Sequence, residues 1–324
     1  MFEQACRRQR GVVARWQALG GGLSRSAIER RLASGRWQRL SSGVYATFPG
    51  PLSRMAEFWA AVLAAGPGAM LSHRSAAEVA GLTAGGDGPI HVTVPAGRHP
   101  QRMPGVVVHR SRRASWIRRP HRTLPQTRVE ETVLDLWETT DALDEALGWI
   151  AVSCGRSLTS PERLTLALGL RGRVRRRPEL MAALRDVETG CRSVLELRYL
   201  RDVERAHGLP EGERWPCGTP SRRAADRSEG VVLYPAFGTS VRLGTPPPVP
   251  AVVTTHALGE LRERVAVGIA PVRGSLRGRV LRYDGADVFR NPCGVADEVA
   301  AALHRRGWRR YPRRCSPSCG ALTP

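Results

Sequence analysis

Three consecutive glycines, Gly20-Gly21-Gly22, interrupt the segment Gly11 to Thr47 (GVVARWQALGGGLSRSAIERRLASGRWQRLSSGVYAT) and limit what it can become. Each glycine costs about 1 kcal/mol against alanine in a helix interior, so one continuous helix is excluded and two short ones are expected. Ahead of the break, Val12, Val13, Trp16 and Leu19 recur at helical spacing and predict a first helix. Behind it, Ser24 or Ser26 can cap a second, and Ser26 with Glu29 has capping-box spacing. Ala27, Ile28 and Leu32 form its inward face; Ser26, Glu29, Arg30 and Ala33 form the outward one, with Arg25 and Arg31 on the flanks. After Gly35, Arg36-Trp37-Gln38-Arg39-Leu40 alternates, Ser41-Ser42-Gly43 turns, and Val44-Tyr45-Ala46 returns, which predicts a β-hairpin wing. Two short helices on a glycine turn, the second facing outward with arginine, suit insertion into a DNA major groove.

The charge points to the same kind of partner. The chain of 324 residues has a formal net charge of +21, and all 50 of its Lys+Arg residues are arginine. Without lysine there is no Schiff-base lysine and no P-loop lysine. A GC-rich gene explains the choice of arginine, but not the size of the excess. Arginine's planar, permanently charged fork suits phosphate, and a surplus of this size implies a polyanion such as nucleic acid. Residues 1–50 hold nine arginines against Glu3 and Glu29, a local +7. An RNA- or ribosome-associated protein is a further class to weigh, but the sequence contains no module of stacking aromatics.

The order of motifs in this segment (the S-R-S-A-I helix, the G-R-W-x-R strand and the G-V-Y-A strand) resembles the N-terminal winged helix of the AbiEi-type antitoxin family of type IV toxin–antitoxin systems. The resemblance covers about fifty residues. It implies binding of double-stranded DNA, with Ser24, Arg25, Ser26, Arg30, Arg31, Arg36 and Arg39 as contacts, and raises a cognate toxin as a protein partner.

The middle of the chain reads as an α/β linker domain. Helices are expected over Leu52 to Ala65 and Ser75 to Leu82, and strands at Ile90 to Val94 and Val106 to His109. Residues 98–128 hold nine arginines, whereas Glu130 to Glu145 holds seven acids and no arginine. Val133, Leu136, Trp137, Leu143 and Leu147 have helical spacing, which places those acids on a solvated helical face. The basic strands then either extend a DNA footprint or pair with the acidic helix, and pairing within one fold is preferred. His73 and His109, each beside an arginine, read as structural or surface residues. Gly169 to Arg177, GLRGRVRRR, reads as an exposed linker that contacts phosphate.

In the last third, Ser193-Val194-Leu195-Glu196 opens a helix with a capping-box pair, an apolar stripe at Val194, Leu197, Leu200 and Val203, and a stop at Gly208. Strands are expected at Gly230 to Tyr234, around Ser240 to Leu243 and at Val280 to Tyr283, and a closing helix from Asn291-Pro292 to Gly307. CRSVLELRYLRDVERAHGLP and LRYDGADVFRNPCGVADEVAAALHRRGW resemble the small endonuclease-like domain related to very-short-patch-repair endonucleases, a branch of the PD-(D/E)XK fold. Between these ends the resemblance lapses. Where that family carries a metal-binding Glu-Leu-Asp-Gly strand, this chain reads Ser240-Val241-Arg242-Leu243, and Phe237 to Ala257 contains no carboxylate. Of the family's acids, Glu196 matches the helix acid and either Asp226 or Glu229 is the candidate for the first strand acid, while for Glu196 the cap is the simpler role. The nuclease-like domain is therefore expected to be inactive, Mg²⁺ being implied only by the alternative, a metal-dependent endonuclease acting in repair or defence.

The tail carries Cys315 and Cys319, and Cys293 with His304 could complete a zinc set, but free thiols are the simpler expectation and no metal is assigned. Seven cysteines, an odd and scattered number, imply reduced thiols and a cytoplasmic protein; no signal or membrane-spanning segment is read. The expected architecture is an α/β (α+β) chain. It comprises a winged helix-turn-helix (1–50), an α/β linker domain (51–178), a restriction-endonuclease-like domain degenerate at about 215–280 (179–311) and a basic Cys-containing tail (312–324).

Overall fold

Val12 and Val13 form a strand, not the first turn of a helix. The computed structural model describes residues 2–120, 123–191, 193–217, 229–233, 251–254, 280–305 and 307–320. It is a mixed α/β chain that divides into two units, Met1–Thr140 with Glu162–Arg175, and Asp141–Pro161 with Arg176–Pro324.

The first unit begins with α1 (Phe2–Arg8), β1 (Val12–Ala14), α2 (Arg15–Gly20), α3 (Arg25–Ala33), β2 (Gln38–Ser41) and β3 (Val44–Ala46). The strands form an antiparallel sheet in the order β1-β3-β2, which with this succession is the winged-helix arrangement. β1 and β3 are buried on both faces, while β2 is partly open. Val13 and Tyr45 join Ala18, Ile28 and Trp37 beneath α2 and α3, while Val12 and Val44 join the next core. Successive strand side chains point to opposite faces, so a β-branched Val-Val pair satisfies two cores at once, an arrangement that helical periodicity overlooks. Gly43 closes the β2–β3 turn at φ +76, a conformation that suits glycine.

That next core is organised by α4 (Arg54–Ala65), capped by the Ser53 hydroxyl, which accepts from Ala56 N–H at 3.4 Å. Phe58, Trp59 and Val62 pack it against β4 (Met70–Leu71), α5 (His73–Ala80) and β5 (Ile90–Pro95). β5 pairs antiparallel with β4 and parallel with β6 (Val106–Ser111). After α6 (Ala114–Ile117), α7 (Val129–Thr139) lies almost wholly buried. The chain then enters the second unit with α8 (Leu143–Gly155) and returns to the first with α9 (Pro161–Gly169). The stripe expected to run from Val133 to Leu147 is therefore two helices, broken at Thr140.

In the second unit, α10 (Arg177–Glu188) precedes α11 (Val194–Arg198), which continues through a π-helical stretch over Tyr199–Arg205. β7 (Glu213–Cys217), β8 (Glu229–Leu233), β9 (Ala251–Thr254) and β10 (Val280–Tyr283) form a sheet in the order β10-β9-β8-β7, parallel only between β9 and β10. β7 and β9 were not foreseen, and the strand expected around Ser240 to Leu243 lies outside the described residues. α12 (Gly285–Arg290) and α13 (Pro292–His304) complete the unit. Leu195, Tyr199 and Val203 meet Leu281, Tyr283, Val295, Val299 and Leu303 in one core. Asn291 caps α13, accepting from Gly294 N–H at 3.1 Å, with Pro292 at the first helical position.

Candidate nucleic-acid interface

α3 is fixed from below and bare above. Ile28 is 1% exposed among Ala18, Trp37 and Tyr45, with Leu23 and Leu32 packed at the margin. The outward positions Ser26, Glu29, Arg30 and Ala33 are all exposed. The N-cap is Ser24, whose hydroxyl accepts from Ala27 N–H at 3.1 Å; Ser26 lies inside the helix, 3.0 Å from Ser24 Oγ, so the Ser26–Glu29 capping box does not form. Two hydroxyls thus sit at the helix N-terminus, where the partial positive end of the dipole favours an anion.

The arginines divide into two sets. Arg25, Arg30 and Arg36 are exposed, and among the described residues none of them meets a carboxylate. Arg31 donates to its own Ala27 carbonyl at 3.2 Å and lies 5.6 Å from the Trp37 ring centre. Arg39 reaches Glu29 at 3.5 Å and lies over the Tyr45 ring. These two are half held by the domain itself. Of the expected contact residues, Ser24, Arg25, Ser26, Arg30 and Arg36 are therefore fully presented.

Elsewhere in this unit, arginine serves the fold. Glu130 and Glu131 are 6% and 4% exposed, so the expectation of a solvated acidic face is overturned for α7, whereas Asp141 and Glu145 beyond it are exposed. Arg163 meets Glu130 at 2.7 Å; Arg113 pairs with Glu131; Arg171 bridges Glu131 and Asp135, each at 2.6 Å. Backbone N–H of Arg175 donates to Glu138 at 2.9 Å. Hence Arg171 of GLRGRVRRR is not available to phosphate, being the counter-charge of α7, while Arg173 and Arg175 are exposed. From the basic stretch before α7, Arg113 takes part in this network, while Arg102, Arg110, Arg112, Arg118 and Arg128 remain exposed.

Three histidines gather beside that network. His73 and His109 stack with ring centres 3.7 Å apart, and His91 Nδ1 lies 3.0 Å from His109 Nε2. His91 was missed; on the parallel β5–β6 pair it lies two residues from Thr93, the register partner of His109, which puts both histidines on one face. Burial, followed by the neighbouring imidazoles, pushes His73 down to about 3; burial and then His91 push His109 down to about 4. Burial raises Asp135 to about 6 despite Arg171. His73 Nδ1 is 3.9 Å from Asp135, but with those shifts the pair is not an ion pair at neutral pH. Although the three imidazoles could in principle share a cation, near-parallel rings, 13° to 25° between planes, send their in-plane lone pairs alongside one another rather than to a common point. The cluster is a neutral stack. His73 begins α5 at φ +49, a left-handed conformation costly for a non-glycine residue.

In the second unit, Glu196 is buried at 6% exposure; its backbone N–H donates to Ser193 Oγ at 3.2 Å, and the same hydroxyl donates to its carboxylate at 3.1 Å. That is the cap role. Asp226 lies outside the described residues.

The fold and this surface together define a mixed α/β chain with a winged-helix N-terminal segment. No protein-family model and no curated protein matches the sequence. Among solved structures the chain is similar to the Rv2827c protein from Mycobacterium tuberculosis, with 18% sequence identity and a TM-score of 0.38 over 61% of this chain and 78% of that one. No helix among the described residues is long and apolar enough to cross a membrane.

Proposed function

We propose that this chain is a DNA-binding protein whose reading head is the winged helix, with α3 entering the major groove. The observation that carries this reading is the set Arg25, Arg30 and Arg36, exposed beside the Ser24 and Ser26 hydroxyls and unanswered by any described carboxylate. An HTH recognition helix reads base edges with its N-terminal residues, where Arg25 and Ser26 stand. The resemblance to AbiEi-type antitoxins agrees with a regulatory role for such a head. Phosphodiester cleavage forms no part of the proposal, because the Glu196 carboxylate is occupied in a helix cap.

Fluorescence anisotropy on labelled duplex DNA across a salt series tests it. Arg25→Ala and Arg30→Ala are each expected to weaken binding by about 1–3 kcal/mol where the residue reads a base, or to flatten the log–log salt slope by about 0.9 where it holds a phosphate. Glu29→Gln releases Arg39 and is expected to tighten the complex. The exposed Arg185→Ala, on α10, serves as the control and is expected to change little. Unchanged affinity and slope in both α3 variants would sink the assignment.

A further inference from the structure

At the far end of the second unit, three segments distant in sequence bring four soft or borderline ligand atoms together. Cys319 Sγ lies 3.5 Å from His207 Nε2 and 3.5 Å from Cys293 Sγ. Cys293 Sγ lies 3.7 Å from Cys315 Sγ, and all four donor atoms fall within 4.8 Å of one another. A tetrahedral Zn²⁺ with Zn–S of about 2.3 Å and Zn–N of about 2.0–2.1 Å has edges of about 3.8 Å between sulfurs and about 3.6 Å between sulfur and nitrogen. The Cys319–His207, Cys319–Cys293 and Cys293–Cys315 edges lie within about 0.3 Å of those figures.

The surroundings are those of a built site. His207 is fully buried, and its Nδ1 lies 3.1 Å from the Val203 carbonyl. A ring N–H donated there leaves the Nε2 lone pair directed at the thiols, the outer-shell arrangement that fixes the tautomer of a metal-bound histidine. Cys315 and Cys319 flank a short turn in which Cys319 N–H donates to the Ser316 carbonyl at 3.0 Å, and a C-x₃-C spacing is within the usual zinc range. Arg313 brings this tail to the helix end: its backbone N–H donates to the His207 carbonyl at 2.8 Å, its Nε donates to Ala206 O at 3.1 Å, and its Nη2 reaches Arg205 O. These bonds satisfy carbonyls that a helix C-terminus leaves open.

We propose that Cys293, Cys315, Cys319 and His207 form a structural Cys₃His zinc site that ties the C-terminal tail to the end of the α11 helix and the start of α13. Four protein ligands leave no open position, so the ion would support the fold and not a reaction. Binding deprotonates the thiols, and because the ligands lie up to 112 residues apart in sequence, the metal opposes unfolding of the whole unit. The site explains why the tail thiols are gathered rather than free, and it recruits His207 in place of the expected His304. The latter turns away, its Nε2 lying 2.6 Å from Arg310 O and its ring stacked on Trp308. The proposal is independent of DNA binding, which rests on the other unit.

The test uses the full chain, expressed with zinc in the medium and purified without chelator or added thiol. Elemental analysis is expected to return about one zinc per chain. Replacement by Co²⁺ should give tetrahedral visible bands with thiolate-to-cobalt charge transfer. Cys315 is exposed, so Cys315→Ser should keep its far-ultraviolet circular dichroism while losing most of the metal and the charge-transfer intensity. Cys6→Ser, in the first unit, should keep both. Chelation should lower the thermal midpoint of the wild type but not of Cys315→Ser. A folded wild type that takes up neither zinc nor cobalt would overturn the proposal, as would equal metal in Cys315→Ser, or a disulfide among these three cysteines found by mass spectrometry.

Discussion

Arg171→Ala is expected to destabilise the first unit by about 3–5 kcal/mol, the range for removing one partner of a buried ion network. The guanidinium is 13% exposed, and it bonds carboxylates that are themselves 5% and 16% exposed, Glu131 and Asp135. It also donates from Nη2 to the Glu131 backbone carbonyl at 3.0 Å. Without it Glu131 keeps Arg113, whereas Asp135 loses the cation that bonds it directly and is left with Arg113 acting through space and with His73, which is neutral at pH 7. An unpaired buried carboxylate answers by taking up a proton, so its pKa in the variant rises further and the penalty eases as pH falls. Urea unfolding of wild type and variant at pH 7 and pH 5 should therefore show a large difference that narrows on acidification. Arg173→Ala, two residues on and exposed, should cost less than about 0.5 kcal/mol. Arg171→Lys should fall between, since lysine restores charge but not the fork that serves two acids at once. Equal midpoints for wild type and Arg171→Ala would remove the network from any role in stability.

That network marks where the sequence was legible and where it was not. The wing and α3 were readable because their signals are local. Gly20-Gly21-Gly22 and Gly35 punctuate, Ser24 caps, and Ile28 and Leu32 set the inward stripe within nine residues. The acids of α7 looked solvated because the arginines that answer them are far off in sequence, Arg171 being 40 residues beyond Glu131. Amphipathic counting treats a charged side chain as outward, and it has no means to register a counter-charge delivered by a later segment. The same distance hid His91 beside His109 and His207 beside Cys319. Val12 and Val13 failed differently: their spacing fits a helix through Trp16 and Leu19, yet Trp16 is 69% exposed and the two valines separate onto opposite faces of a strand. There the β-branched pair outweighed the period.

Acidification from pH 7 to pH 5 is expected to cost the wild-type first unit roughly 2 kcal/mol, because its histidine stack binds protons less readily folded than unfolded. His73 and His109 ordinarily titrate near 6.5 and are held down to about 3 and about 4 in the fold, burial being the largest cause for both. A depressed pKa contributes stability that is complete above 6.5 and is lost as pH falls toward the folded values. At pH 5 His73 has surrendered about 2 kcal/mol, and His109, closer to solvent and therefore partly screened, about 1 kcal/mol. His91 is lowered as well, by burial and then Arg74, and adds in the same sense. Asp135 works against them: raised to about 6 by burial, it takes up a proton in the folded state before the unfolded chain does, and returns about 1 kcal/mol over the same interval. The histidines prevail because two of them shift further than the one carboxyl. His73→Asn isolates the effect, since asparagine tolerates the left-handed backbone at this position and does not titrate. Chemical denaturation should show a shallower decline between pH 7 and pH 5 in that variant than in the wild type. If the wild type is as stable at pH 5 as at pH 7, or if His73→Asn declines as steeply, the stack is not held neutral against protonation, and Arg171 faces a cationic neighbour in place of a neutral one.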